Sequence, residues 1–330
     1  MNTTSATVRT VGILGAGHIA IKMARTLQQM PGYRCLAVAS RSLEKAQDFA
    51  REHNIDRAYG SYASLASDDD IELVYVATPH TLHYDHVRLC LEHGKHVLCE
   101  KAFMANAREA EELLRLSEEK HLYLSEAMWI RYMPLSQTLQ QMLGEGVIGK
   151  PRMLSANLCY PVSHKERVSS AGLGGGALLD IGVYALNFAA IAFGADVGQT
   201  SSACTLSATG VDEQETITLT YADGRMAVLH SSIVCRSDRQ GIISGDKGYL
   251  VVENINNPSR IRIYDGLDHL LQTIDAPAQI TGFEYEVEAA FRAIDAGQSE
   301  SSCMPHREIL RIMRQMDALR MEWGVRFPND

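Results

Sequence analysis

The chain reads as a doubly wound parallel α/β domain followed by an α+β domain on a large, mostly antiparallel sheet. Three observations predict this. Its 330 residues exceed what one hydrophobic core usually organises. From Val8 to about Ala127, short apolar runs alternate with helical stretches, the pattern of parallel strands joined by crossover helices. Beyond that point strand patterns follow one another directly, with side chains alternating at a period of two. We therefore expect domains at 1–127 and 128–330.

The elements follow in order. Val8–Leu14 is near-continuously apolar and ends at glycine, as a strand buried on both faces should. A helix over His18–Met30 is stopped by Pro31-Gly32. Cys35–Ala39 is the next strand and Leu43–His53 has helical spacing. Leu73–Ala77 is a strand, His83–His93 a helix closed by Gly94, and Val97–Cys99 a strand. Ala105–Glu119 is helical and Leu122–Ser125 is a further strand. In the second half, Pro134–Leu143 is helical and Arg152–Tyr160 extended. Gly172–Ala195 is a glycine-rich loop running into an apolar helix. Strands are expected at Ala203–Thr209, Glu215–Tyr221, Met226–Val234, Gly241–Ser244, Tyr249–Val252 and Arg260–Tyr264. Thr216, Thr218 and Thr220 alternate with Ile217, Leu219 and Tyr221, which suits a sheet with one wetted face. Helices over Glu284–Ala296 and Pro305–Trp323 finish the chain.

Composition narrows the function. A net charge of −9 argues against nucleic-acid and anionic-membrane partners, both of which favour basic patches. Met1-Asn2-Thr3-Thr4-Ser5 lacks the charged-then-apolar pattern of a signal peptide, and no uninterrupted apolar run approaches the ~18–20 residues of a membrane span. The seven cysteines are scattered and include no CxxC, which reads as reduced thiols in the cytoplasm.

Gly15-Ala16-Gly17-His18-Ile19-Ala20 follows the first strand and opens the first helix, the context of a dinucleotide fingerprint. Gly15 permits the tight turn, Gly17 lets the backbone approach a pyrophosphate, and small Ala20 allows close helix–strand packing. At His18 and Ile19 the helix amino terminus offers unpaired N–H groups and partial positive charge to phosphate. The second strand ends in Ser40-Arg41-Ser42, where NAD enzymes place a carboxylate for the ribose 2′-hydroxyl. An arginine there pairs with a 2′-phosphate, so NADP is expected over NAD. Lys101 ends the strand His96–Glu100, and in an open α/β sheet ligands lie outside the carboxyl ends of the strands. It is thus a candidate catalytic residue.

These segments, with Ala77-Thr78-Pro79-His80-Thr81-Leu82-His83, Glu100-Lys101 and Gly174–Tyr184, resemble the Gfo/Idh/MocA family of oxidoreductases. Ser40–Ala46, Glu126–Tyr132 and the Asp180…Tyr184 pair resemble its NADP-linked subgroup of dimeric dihydrodiol and D-xylose 1-dehydrogenases. The resemblance implies cofactor contacts from Thr78, Pro79, His83, Glu100, Trp129 and Arg131. It also implies that Lys101, Asp180 and Tyr184 form the reaction centre, and that the protein is a homodimer. Oxidising an alcohol by hydride loss requires that the hydroxyl proton leave as well. Tyrosine's ordinary pKa of ~10 is too high for a base at neutral pH, and a neighbouring ammonium lowers it. Tyr184 is therefore expected to carry the proton, Lys101 to tune it and bind the substrate oxygen, and Asp180 to orient the substrate. Tyr160, at a strand end, is a further substrate candidate. The family's usual Glu-Lys-Pro reads Glu100-Lys101-Ala102 here, which loses a fixed φ after the lysine.

The expected reaction is hydride transfer between NADP and a hydroxyl-bearing carbon of a sugar, cyclitol or vicinal diol, with an aldose such as D-xylose going to its lactone. The alternatives are a dihydrodiol dehydrogenase or dicarbonyl reductase of the same subgroup, and a non-catalytic NADP-binding sensor. His80, His83 and His86 raise a metal site, but their steps of three around a helix do not converge and no further cluster completes one. No metal is expected.

Overall fold

The computed structural model describes residues 8–328 and residue 330. Met1–Ser5, whose pattern argued against a leader, lie outside the described residues. Contacts divide the chain into two compact units, Met1–Ala127 with Gln279–Leu310, and Met128–Ala278 with Arg311–Asp330.

The first unit carries six parallel strands, β1 (Arg9–Leu14), β2 (Tyr33–Ala39), β3 (Arg57–Tyr59), β4 (Leu73–Val76), β5 (His96–Glu100) and β6 (Leu124–Ala127), in the order β3-β2-β1-β4-β5-β6. Their apolar runs are covered on both faces: Val11, Ile13, Leu14, Val74, Val76, Val97 and Leu98 are fully buried. Helices His18–Gln29, Leu43–Glu52, His83–Glu92 and Ala107–Glu119 make the crossovers. Two of them start on side-chain caps, Ser42 accepting from the Lys45 N–H and Asn106 from the Glu109 N–H. The order reverses direction between β1 and β4, and the crevice that opens there, beyond the strands' carboxyl ends, is where such sheets bind ligands.

The chain returns to this unit near its end, which a single boundary at residue 127 does not provide for. The Thr26 and Thr281 hydroxyls bond at 2.6 Å, and the Tyr33 and Phe291 rings meet at 5.5 Å. The sequence shows that the helix Phe283–Asp295 has an apolar face, but not which core receives it.

The second unit holds eight strands, β7 (Pro151–Cys159), β8 (Val197–Leu206), β9 (Asp212–Tyr221), β10 (Met226–Ser232), β11 (Gly241–Gly245), β12 (Gly248–Glu253), β13 (Arg260–Asp265) and β14 (Leu270–Asp275), in the order β14-β13-β12-β11-β7-β10-β9-β8. Among the described residues of this unit only the β7–β10 pair is parallel; the other pairings are antiparallel. Ile217, Leu219 and Tyr221 are buried, whereas Thr216 is exposed and Thr218 and Thr220 are half-buried, as the alternation requires. The buried face lies against the helix Val183–Phe193. Residues 171–193 are long and apolar enough to cross a bilayer by length and composition, but 94% of the apolar window is buried, the mark of a core helix.

Candidate active site and cofactor site

Gly15 follows β1 with φ +113°, a conformation that favours glycine, and its N–H donates to the Ala39 carbonyl at 3.0 Å. A Cβ on Gly15 would come within 2.7 Å of the Ala77 carbonyl oxygen, so the turn is wedged between the exits of β2 and β4. A Cβ on Gly17 would meet nothing within 4 Å, which leaves the open cradle a pyrophosphate needs. Gly17 is the N-cap of the helix His18–Gln29, where no side chain caps the N–H groups and no acidic residue occupies the first turn. His18 is exposed and Ile19 half-buried, so the amino terminus is accessible. Ser40 is buried, and Arg41 beside it is exposed. These residues fit a nicotinamide dinucleotide with Gly15, Gly17 and the helix terminus at its phosphates and Arg41 near the adenosine ribose.

Lys101 is half-buried and sits on a turn tied down from several directions. Its N–H donates to the Glu100 carboxylate at 3.2 Å, and its carbonyl accepts from His80 Nε2 at 3.2 Å. The Phe103 N–H donates to buried Glu126 at 3.0 Å. His83 lies between Thr78 O, 2.7 Å from its Nε2, and the Ala102 and Phe103 carbonyls, 3.1 and 3.0 Å from its Nδ1. The Lys101–Ala102 peptide is cis.

Two of the expected cofactor residues thus act from behind the surface. His83 has no exposed area, and burial lowers its pKa, so it joins the exits of β4 and β5 rather than facing a ligand. Glu100 is also buried and accepts a hydrogen bond from the Tyr75 hydroxyl. Burial raises its pKa, and the Lys101 ammonium opposes that rise. Thr78 and Pro79 remain half-buried at the rim of the crevice. Among the described residues no three His, Cys, Asp or Glu side chains converge on a metal position. Cys99 is fully buried and its thiol is pushed up by burial, so it behaves as a small apolar side chain.

In the second unit, Asp180 and Tyr184 share one helical segment, but its start is not α-helical. Leu178–Gly182 is a π-helical turn that passes into the α-helix Val183–Phe193. Such wider turns are frequent at functional sites. Asp180 is buried and accepts from Arg167 at 2.8 and 3.4 Å. Tyr184 is buried, with 8% of its surface exposed. The buried carboxylate of Asp212 accepts from the Leu178 N–H at 2.6 Å and anchors the start of the segment. Arg131 Nε donates to Asn187 Oδ1 at 2.8 Å, and Asn187 Nδ2 donates to the Val183 carbonyl at 2.9 Å, so Arg131 braces the helix that carries Tyr184. Trp129, two residues earlier, is half-buried. Tyr160 accepts from Arg239 at 3.2 Å, with the guanidinium 5.6 Å from its ring centre. Arg167, Asn187, Asp212 and Arg239 carry no local motif, and sequence reasoning missed them. A cavity of about 420 Å³ on this unit, lined by Cys159, Cys204, Gln214, His230 and Cys235 among others, contains none of the expected site residues.

The chain matches two family descriptions. Residues 9–128 match the oxidoreductase family with an NAD-binding Rossmann fold, and residues 136–251 match the Gfo/Idh/MocA C-terminal domain. It is 34% identical to trans-1,2-dihydrobenzene-1,2-diol dehydrogenase of Xenopus tropicalis, over 96% of this chain and 98% of that one. The Homo sapiens protein of the same name is 32% identical, over 97% and 98%. Among solved structures, the 3-ketoreductase KijD10 of Actinomadura kijaniata, in complex with NADP and TDP-benzene, superposes with a TM-score of 0.86 at 27% identity, covering 95% of this chain and 97% of that one. An aldose-aldose oxidoreductase of Caulobacter crescentus has the same fold, with a TM-score of 0.86 at 20% identity over 96% and 97%. The chain is therefore an enzyme, an NAD(P)-dependent dehydrogenase belonging to the Gfo/Idh/MocA oxidoreductase family.

Proposed function

We propose that this enzyme oxidises a secondary or hemiacetal hydroxyl of a small vicinal diol with NADP, and that Lys101, Asp180 and Tyr184 act together on that diol. The aldose reading, D-xylose to its lactone, rests on the Ser40–Ala46 and Asp180…Tyr184 resemblance. The names of the relatives support a second reading, oxidation of a trans-dihydrodiol. The observation that carries the proposal is the tethering of Lys101: its N–H is held by Glu100, its carbonyl by His80 and the Phe103 N–H by Glu126, so the turn that carries its side chain is fixed.

The nicotinamide, when bound, supplies the hydride acceptor. Lys101 binds the reacting oxygen and favours the ionised form of the Tyr184 phenol, which receives the hydroxyl proton. Asp180, held by Arg167, accepts a hydrogen bond from the adjacent hydroxyl and sets which carbon faces the cofactor. A diol gives that second contact, and a simple alcohol does not. Arg41 favours NADP over NAD through the 2′-phosphate.

Steady-state kinetics on Tyr184→Phe test the assignment. Loss of a positioned proton carrier costs about 100-fold or more in kcat, with cofactor affinity retained. Near-wild-type turnover would remove Tyr184 from this role.

The scattered cysteines, with no CxxC among them, support a cytoplasmic setting. A homodimer through the wetted face of the second sheet is supported by exposed Met153, Leu206 and Met226 on its strands.

A further inference from the structure

Next to the fingerprint turn stands a pair of rings that the reaction centre does not use. The Cβ position of Gly15 lies 3.4 Å from Thr78 Cγ2, and Thr78 Oγ1 is 3.0 Å from His86 Nδ1. The His86 ring meets Tyr62 edge to face, with centroids 4.4 Å apart. Both rings are half-buried, so each keeps accessible surface. They come from the helices after β3 and after β4, which pack on each other, the first of them also against β2. Arg41 lies close enough for its charge to act on both rings. Burial pushes the His86 imidazole down to about 4, helped by the neighbouring His83 and Arg41 and opposed by Asp85, so the ring is neutral at physiological pH.

This arrangement is a wall without a partner in the chemistry. A dinucleotide that spans the β1/β4 reversal sends its nicotinamide half toward β5, where Lys101 stands, and its adenosine half toward β2. With Arg41 at the ribose phosphate, the next group outward is the purine. A neutral imidazole and a phenol are flat, polarisable surfaces that suit a purine face and do not compete with Arg41 for the phosphate.

We propose that Tyr62 and His86 form the adenine-binding wall of the cofactor site, with Arg41 reading the 2′-phosphate beside them. The wall contributes affinity for NADP and NAD alike, and Arg41 supplies the discrimination. The inference rests on the dinucleotide assignment and goes beyond it by dividing recognition between separate residues.

Titration calorimetry on the purified protein separates these roles, using NADP⁺, NAD⁺ and the half-nucleotide adenosine 2′,5′-bisphosphate. Tyr62→Ala and His86→Ala are each expected to raise Kd for all three ligands by about tenfold, the effect of losing one base–ring stack. Tyr62→Phe, which keeps the ring, should bind within about twofold of wild type. Arg41→Ala should weaken NADP⁺ and the bisphosphate, and leave NAD⁺ unchanged. Unaltered affinity in both alanine variants overturns the wall. So does weakened NADP⁺ binding with unchanged affinity for the bisphosphate, because the rings then act elsewhere. If wild type binds neither NADP⁺ nor NAD⁺, the cofactor assignment itself fails and takes the inference with it.

Discussion

Glu286 has no exposed surface, and neither of its carboxylate oxygens has a hydrogen-bond partner. Its helix packs against β5, and burial raises its pKa well above the ordinary value, reinforced by Glu100 and Glu284. Glu100 shifts in the same direction, also through burial. The sign follows from linkage: an acid with a raised folded-state pKa binds more protons in the native than in the unfolded protein. These two acids therefore contribute stability that is present below the unfolded carboxyl value of about 4.3 and is lost as pH climbs above it. Glu286→Gln keeps the shape of the neutral acid and removes its titration. Urea unfolding at a series of pH values should show a smaller loss of stability between pH 5 and 8 (roughly the range above that carboxyl value) in the variant than in wild type. Identical slopes would mean that Glu286 is ionised in the native state. From sequence, Glu286 reads only as one acid on a helix, because its burial depends on a strand almost two hundred residues away in the chain.

At the scale of elements, the helical segment that begins at Leu178 decides the geometry of the second unit's site. Gly176 has φ +116°, and a Cβ there would overlap the Asp212 carboxylate that accepts from the Leu178 N–H. Gly176→Ala combines backbone strain with displacement of that anchor. It should cost about 2 kcal/mol or more, read as a lower urea midpoint at unchanged slope. The glycine-rich approach and the apolar helix after it are visible in sequence, and so is the Asp180…Tyr184 spacing. The π-turn is not, because it depends on Asp212 arriving from β9. The same contrast runs through the strands. β1, β4 and β5 announce themselves as buried apolar runs, whereas three-residue β3 and the edge strand β14 escape. Leu270 and Leu271 of β14 are exposed, so no alternation marks that strand.

For the whole molecule, the fingerprint and the strand–helix alternation made the first unit legible, since each signal is local. The return of residues 279–310 to that unit is a long-range event with no local sign. The exposed face of the second sheet predicts self-association. Light scattering should give twice the 36.4 kDa chain mass, and a monomer mass would remove the dimer proposal. The central claim is that the chain is an NADP-linked dehydrogenase whose substrate offers two neighbouring hydroxyls. The most direct measurement follows NADPH absorbance while the purified enzyme and NADP⁺ meet a panel of aldoses, inositols, trans-dihydrodiols and matched mono-alcohols. The account predicts NADPH formation with at least one vicinal diol and none with the mono-alcohols. Equal turnover of mono-alcohols, or tight cofactor binding with no turnover on any member, would contradict it.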